Sequence, residues 1–220
     1  MAESPVYARI VPFFIFLVLT FVQGNGDAKY WVYSLKVFVG LWFIWVMRTV
    51  VAEMRWAFSW EAVVVGVGIF VIWVGADPYY PKIGLLFKYT EESIWNPFKR
   101  FGNDSLLAWA LMCIRIFGMT IVVPPMEEVF YRSFGYRYLI KYDFQKVPLN
   151  QFDGIAFTMV PVVFGLIHPQ WLAGIICGVA YQWLVLRKNR LGDAMTAHSI
   201  TNFLLGVYVV WKGGEAWNFL

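Results

Sequence analysis

Long apolar runs at 7–22, 30–51, 60–76, 106–123, 124–140, 154–167, 171–186 and 191–211 make up most of this chain and decide what it can fold into. Each approaches the roughly 17–25 residues that a helix needs to cross the ~30 Å hydrocarbon core of a bilayer. The runs are continuous rather than alternating, which points to helices and not to a β-barrel. Of 220 residues, 60% are apolar and 15% charged. A soluble domain carries about 25% charged residues, so this chain lacks the polar groups to cover a surface in water. The expected fold is all-α: a multi-pass membrane helix bundle of about eight transmembrane helices, forming a single integral membrane domain over 1–220. The lipid bilayer is then the expected surrounding. The net charge of +4 calls for no nucleic acid, because excess Lys and Arg in the loops of a membrane protein encodes orientation.

The punctuation between runs carries further expectations. Within the first run, Ile10–Val22 follows Arg9 and has the look of a signal-peptide core, but Gln23-Gly24-Asn25-Gly26 offers no small-x-small cleavage site. It reads as a retained first helix. Lys36, inside the second run, is expected to snorkel toward the interface. The polar interval 77–104 holds Pro78, Pro81 and Pro97 among aromatic residues and should lie along the interface, with Glu91-Glu92 as a solvated loop pair. Asp193 is expected to cap the last helix. If every run spans, the loops 77–104, 141–153 and 187–190 share one side and both termini face the other. Cys113 and Cys177 lie inside apolar runs and are expected to behave as small hydrophobes rather than as a disulfide.

One stretch breaks the apolar pattern: Pro124-Pro125-Met126-Glu127-Glu128-Val129-Phe130-Tyr131-Arg132. A charge at the centre of a spanning helix costs about 2.5–3.5 kcal/mol even on lenient scales, so the cluster is a functional-site candidate. The prolines suggest that a helix starts at Pro124 or Pro125, which would put both glutamates in its positive first turn. Glu128 and Arg132 share a face at i, i+4 and can pair. Glu127, about 100° further round, is left for another task.

The two histidines extend this constellation. His168 ends the sixth run and His198 lies in the last, four residues before Asn202 and on its face. A lone intramembrane histidine often does no more than stitch two helices together. A spare carboxylate, two imidazoles and an amide in apolar helices can do more. The carboxylate, helped by an imidazole, can deprotonate water as it attacks a carbonyl. Imidazole and amide donors can stabilise the resulting oxyanion. No His-Glu-x-x-His, Gly-x-Ser-Gly or Gly-x-Gly-Asp signature is present. Zinc held by Glu127, His168 and His198 is chemically conceivable, but Asn202 beside His198 favours a site without metal or other cofactor. The competing reading is a non-catalytic scaffold or transporter that uses the same polar network.

The ordered trio Glu127-Glu128-x-x-x-Arg132, Phe164-x-x-x-His168 and His198-x-x-x-Asn202 resembles the CPBP family: the CAAX prenyl proteases and bacteriocin-processing enzymes, also called Abi. The motif-bearing core is about 106–211. This resemblance implies an intramembrane endopeptidase acting on a membrane-associated peptide or protein substrate. By motif position Glu127 would be the base, His168 its partner at the water, and His198 with Asn202 the oxyanion donors. Glu128, Arg132 and Phe164 would support them. The flanking sequence is similar to the CAAX-protease-like proteins associated with exosortase systems, which implies a bacterial inner membrane.

Overall fold

The computed structural model describes residues 4–24, 26–83 and 94–220. Among them there are helices and no strands. Seven long helices form the bundle: α1 Pro5–Val22, α2 Ala28–Met47, α3 Trp60–Ala76, α4 Leu106–Ile140, α5 Gly154–Leu166, α6 Trp171–Lys188 and α7 Gly192–Lys212. The first four are long and apolar enough to cross a membrane, and α5 is a shorter apolar helix. Bulky apolar side chains such as Phe14, Val18, Trp31, Phe38, Trp42, Trp45, Val64, Val71 and Phe117 face outward. Exposed apolar area on this scale is what lipid covers. The chain is an all-α integral membrane protein.

The count of eight is corrected at the double proline. No helix begins at Pro124: runs four and five are one continuous helix, α4, of 35 residues. At 1.5 Å per residue it is about 50 Å long, well beyond the hydrocarbon core. The prolines are carried by a π-helical turn over Gly118–Val122, with a second over Val129–Gly135. Prolines lack the N–H that would bond back four or five residues, so carbonyls near 119–121 need other donors. α7 supplies them. Ser199 Oγ donates to the Thr120 carbonyl (2.6 Å) and Asn202 Nδ2 to the Met119 carbonyl (2.7 Å). Glu127 and Glu128 therefore sit in mid-helix, and the expected help from a helix N-terminus does not exist.

Fusing two runs also changes the sidedness. Arg9, Glu53 and Arg137 meet at one end of the bundle, so the N-terminal segment, the 48–59 loop and the end of α4 lie together. At the other end Asp27 pairs with Arg100 (2.6 Å), and Gln170 approaches the Asn218 carbonyl. The segments 77–83 and 94–104 thus lie on the opposite side from 141–153, not on the same one. Other local expectations change too. Lys36 does not snorkel: it is buried, donates to Thr20 Oγ1 (2.8 Å) and rests over the Phe16 ring at 4.3 Å. Asp193 does not cap α7 but is fully buried and pairs with Arg190. Pro97–Phe101 forms a short helical turn, while Glu91-Glu92 lies outside the described residues.

Two close approaches bring the site helices together. A Cβ on Gly174 would meet Gly165 Cα at 2.9 Å, which locks α6 against α5. A Cβ on Gly66 would meet the Ala197 carbonyl oxygen at 2.7 Å, so α3 packs directly behind His198.

Candidate active site

The motif residues come from α4, α5 and α7 and the loop after α5, and they converge. Glu127, Phe164, His168, His198 and Asn202 line one cavity of about 210 Å³, together with Trp73, Met119, Cys177 and Tyr181. Its volume is far more than a single water requires. Glu128 and Arg132 stand behind the wall, both with fully buried side chains.

The two glutamates differ in what surrounds them. Glu128 Oε2 lies 3.2 Å from Arg132 Nε, and its Oε1 is 3.0 Å from His198 Nδ1. Arg132 also reaches the Gly178 carbonyl (3.3 Å) and covers the Phe164 ring with its guanidinium at 4.5 Å. Phe164 is therefore the floor on which the cation rests. Glu127 Oε2 is buried and has no hydrogen-bond partner among the described residues. The nearest cationic candidate is His198 Nε2, at 3.9 Å.

The histidines are held differently. His168 Nδ1 lies 2.8 Å from the Phe164 carbonyl oxygen, an acceptor, so this nitrogen carries a proton. That hydrogen bond accounts for the i, i+4 spacing of Phe and His, and in neutral imidazole it makes Nε2 an acceptor. Trp73 meets the His168 ring edge-on, with centroids 5.7 Å apart. His198 directs Nδ1–H at the Glu128 carboxylate, a partner that fixes ring orientation. The Tyr181 ring stacks on it at 5.2 Å. Tyr181 donates to Thr201 Oγ1 (2.7 Å), which donates to the Gly66 carbonyl (2.8 Å). Asn202 has one N–H bound to Met119, and its amide nitrogen carries a second.

Tyr181, Thr201 and Ser199 were not singled out in the sequence. A signal existed for Ser199: a double proline inside a helix orphans carbonyls, and a polar side chain three residues from Asn202 is placed to serve one. Nothing local marks Tyr181, whose role exists only once α6 meets α7.

For zinc, the donors must converge at about 2.0–2.2 Å from one point. Among the described residues no group of three His, Cys, Asp or Glu side chains is arranged to hold a metal ion. His198 Nδ1 is already directed at Glu128. As placed, Glu127, His168 and His198 do not form such a group. Cys113 and Cys177 are both free, Cys177 buried as expected and Cys113 exposed on the outer face.

Residues 108–204 match the family model described as type II CAAX prenyl endopeptidase, Rce1-like. The matched segment runs from the first turn of α4 into α7 and contains all three motifs. The resemblance read from those motifs is borne out over this segment, and the family is one of proteases. No curated protein and no solved structure matches the chain.

Proposed function

We propose that this Rce1-like chain is an intramembrane endopeptidase that hydrolyses a peptide bond of a membrane-associated substrate with water activated by Glu127. The observation that carries the reading is that Glu127 lines the cavity with no cation closer than His198 Nε2 at 3.9 Å, whereas Glu128 behind it is paired with Arg132 at 3.2 Å and His198 Nδ1 at 3.0 Å. A buried polar atom without a partner costs free energy, and water or substrate at the cavity would satisfy it.

In this reaction a water lies between Glu127 and His168. Glu127 takes one proton, and His168 Nε2 accepts a hydrogen bond from the other. As the water oxygen bonds to the scissile carbon, the carbonyl electron pair moves onto its oxygen. His198 Nε2–H and the second Asn202 N–H donate to that oxyanion, each contributing about 2.7–4 kcal/mol in a dry site. With Nδ1–H directed at Glu128, an Nε2–H is present when the ring carries both protons. When the intermediate collapses, the C–N bond breaks and Glu127 returns its proton to the leaving amine. The products are a carboxylic acid and an amine. No metal or other cofactor takes part.

Orientation follows from charge. Arg48, Arg55, Lys141, Lys146, Arg187, Lys188 and Arg190 belong to the end where Arg9 meets Glu53. By the positive-inside rule that end faces the cytoplasm. The likeness to exosortase-associated proteins would make the membrane a bacterial inner one. The test is cleavage of a co-expressed single-span membrane substrate by wild type and by His168→Ala, with and without a chelator. Cleavage lost in His168→Ala and untouched by chelator supports the mechanism. Cleavage abolished by chelator and restored by zinc would overturn its metal-free form.

A further inference from the structure

After α7 the chain turns back on itself. Gly213 and Gly214 both have positive φ, 63° and 54°, a region open to glycine without a Cβ clash. The 3-10 segment Gly214–Phe219 then returns toward the bundle. Ala216 and Trp217 are buried in a satellite cluster with Tyr30, Trp95 and Leu111. The Asn218 carbonyl accepts from Gln170 Nε2 (3.5 Å), and the Leu220 carbonyl accepts from Arg115 Nη2. Arg115 is itself seated over the Tyr33 ring at 4.2 Å and the Trp95 ring at 5.2 Å.

The result of this return is that Phe219 and Leu220 help line the cavity that holds Glu127, His168, His198 and Asn202. They bring no acid, base or oxyanion donor to it. They fill apolar space beside Pro169, Gln170 and Leu205, which a peptide laid across the two imidazoles would need. Ala216 and Trp217 anchor the turn, while the polar part of the attachment is of a kind that a peptide can imitate, since Arg115 and Gln170 hold backbone carbonyls.

We propose that the segment Gly214–Leu220 is a displaceable plug of the catalytic cavity, with Phe219 and Leu220 seated in the substrate's path and Arg115 as the latch. A substrate peptide enters by exchanging its own backbone carbonyl for that of Leu220 at the guanidinium. The plug rests on the reading of this cavity as a protease site. Cys177, on the cavity wall, reports access independently of catalysis.

The experiment uses the full chain with Cys113→Ala, in detergent, as Phe219→Ala/Leu220→Ala and separately as Arg115→Gln. Thermal unfolding identifies which variant is folded. The rate of Cys177 alkylation by N-ethylmaleimide and the cleavage of a co-expressed membrane substrate are then compared with the parent. If the plugged state holds about nine-tenths of the population, freeing the cavity speeds alkylation about tenfold and lowers the apparent KM by a similar factor. Faster alkylation with no cleavage in any form supports the plug and overturns the protease reading. Glu127-dependent cleavage with unchanged alkylation in a folded variant supports the protease and overturns the plug.

Discussion

The helix α4 carries two ionic clusters, and they are built on opposite rules. Near its end, Glu53 receives Arg9 Nη2 on both oxygens (2.8 and 2.9 Å), Arg137 Nη2 on one (2.7 Å), and the Ser133 hydroxyl. About two turns or more before it, Glu127 faces the cavity with no hydrogen bond to its Oε2 and no cation nearer than His198 Nε2 at 3.9 Å. The first cluster is saturated and ties α1, the 48–59 loop and α4 into one corner. The second holds one glutamate by Arg132 and His198 and exposes the other to the cavity. Charge inside an apolar bundle is therefore not by itself a mark of function. What sets Glu127 apart is a carboxylate on a cavity wall with no close counter-charge.

Breaking each cluster should give different losses. The largest effect expected is on catalysis, from Glu127→Gln, which removes the base: a loss of about 10²–10⁴-fold in cleavage rate with little change in unfolding temperature. Next, Glu128→Ala leaves Arg132 buried without its carboxylate, which should destabilise the fold by about 3–5 kcal/mol and also release His198. Thermal unfolding in detergent would register the first effect, and cleavage per folded molecule the second. If Glu128→Ala is as stable as wild type, Arg132 has another partner and the division between the glutamates is wrong.

Ser199→Ala should cost less, about 1–3 kcal/mol, because it strips the donor from a carbonyl that the double proline has orphaned. An unchanged unfolding temperature would mean that the π-helical turn satisfies itself. The smallest expected effect is on pH dependence at the saturated corner. Burial pushes the Glu53 carboxyl up, but Arg9 and the Ser133 hydroxyl outweigh it and hold it below the ordinary range. A depressed carboxylate stabilises the fold above its unfolded value and loses that contribution as pH falls through the folded one. Wild type should therefore lose stability below about pH 4.3, the ordinary glutamate value, with a steeper slope than Glu53→Gln. Parallel slopes would remove Glu53 from the account.

The residues that the proposed chemistry needs were legible in the sequence because each is an exception to an apolar rule. Glu127, His168, His198 and Asn202 stand out for that reason, and they share one cavity. The helical class was legible from run length. The path of the chain through Pro124 was not, because proline reads locally as a helix start. What carries it through mid-helix is a distant pair of donors on α7, Ser199 and Asn202. The same dependence on partners hid the Glu53 corner, since Arg9, Glu53 and Arg137 are far apart in sequence and each reads alone as a loop or interface charge. Asn202 shows both sides of this. Its place on the face of His198 was readable, whereas its hydrogen bond to Met119 was not.

The most direct test of the central claim compares Glu127→Gln with Glu53→Gln in one preparation, reading unfolding temperature and cleavage of the same membrane substrate. A clean exchange of phenotypes is expected: Glu127→Gln stable and inactive, Glu53→Gln less stable and, where folded, as active as wild type. Cleavage by Glu127→Gln at the wild-type rate would contradict it.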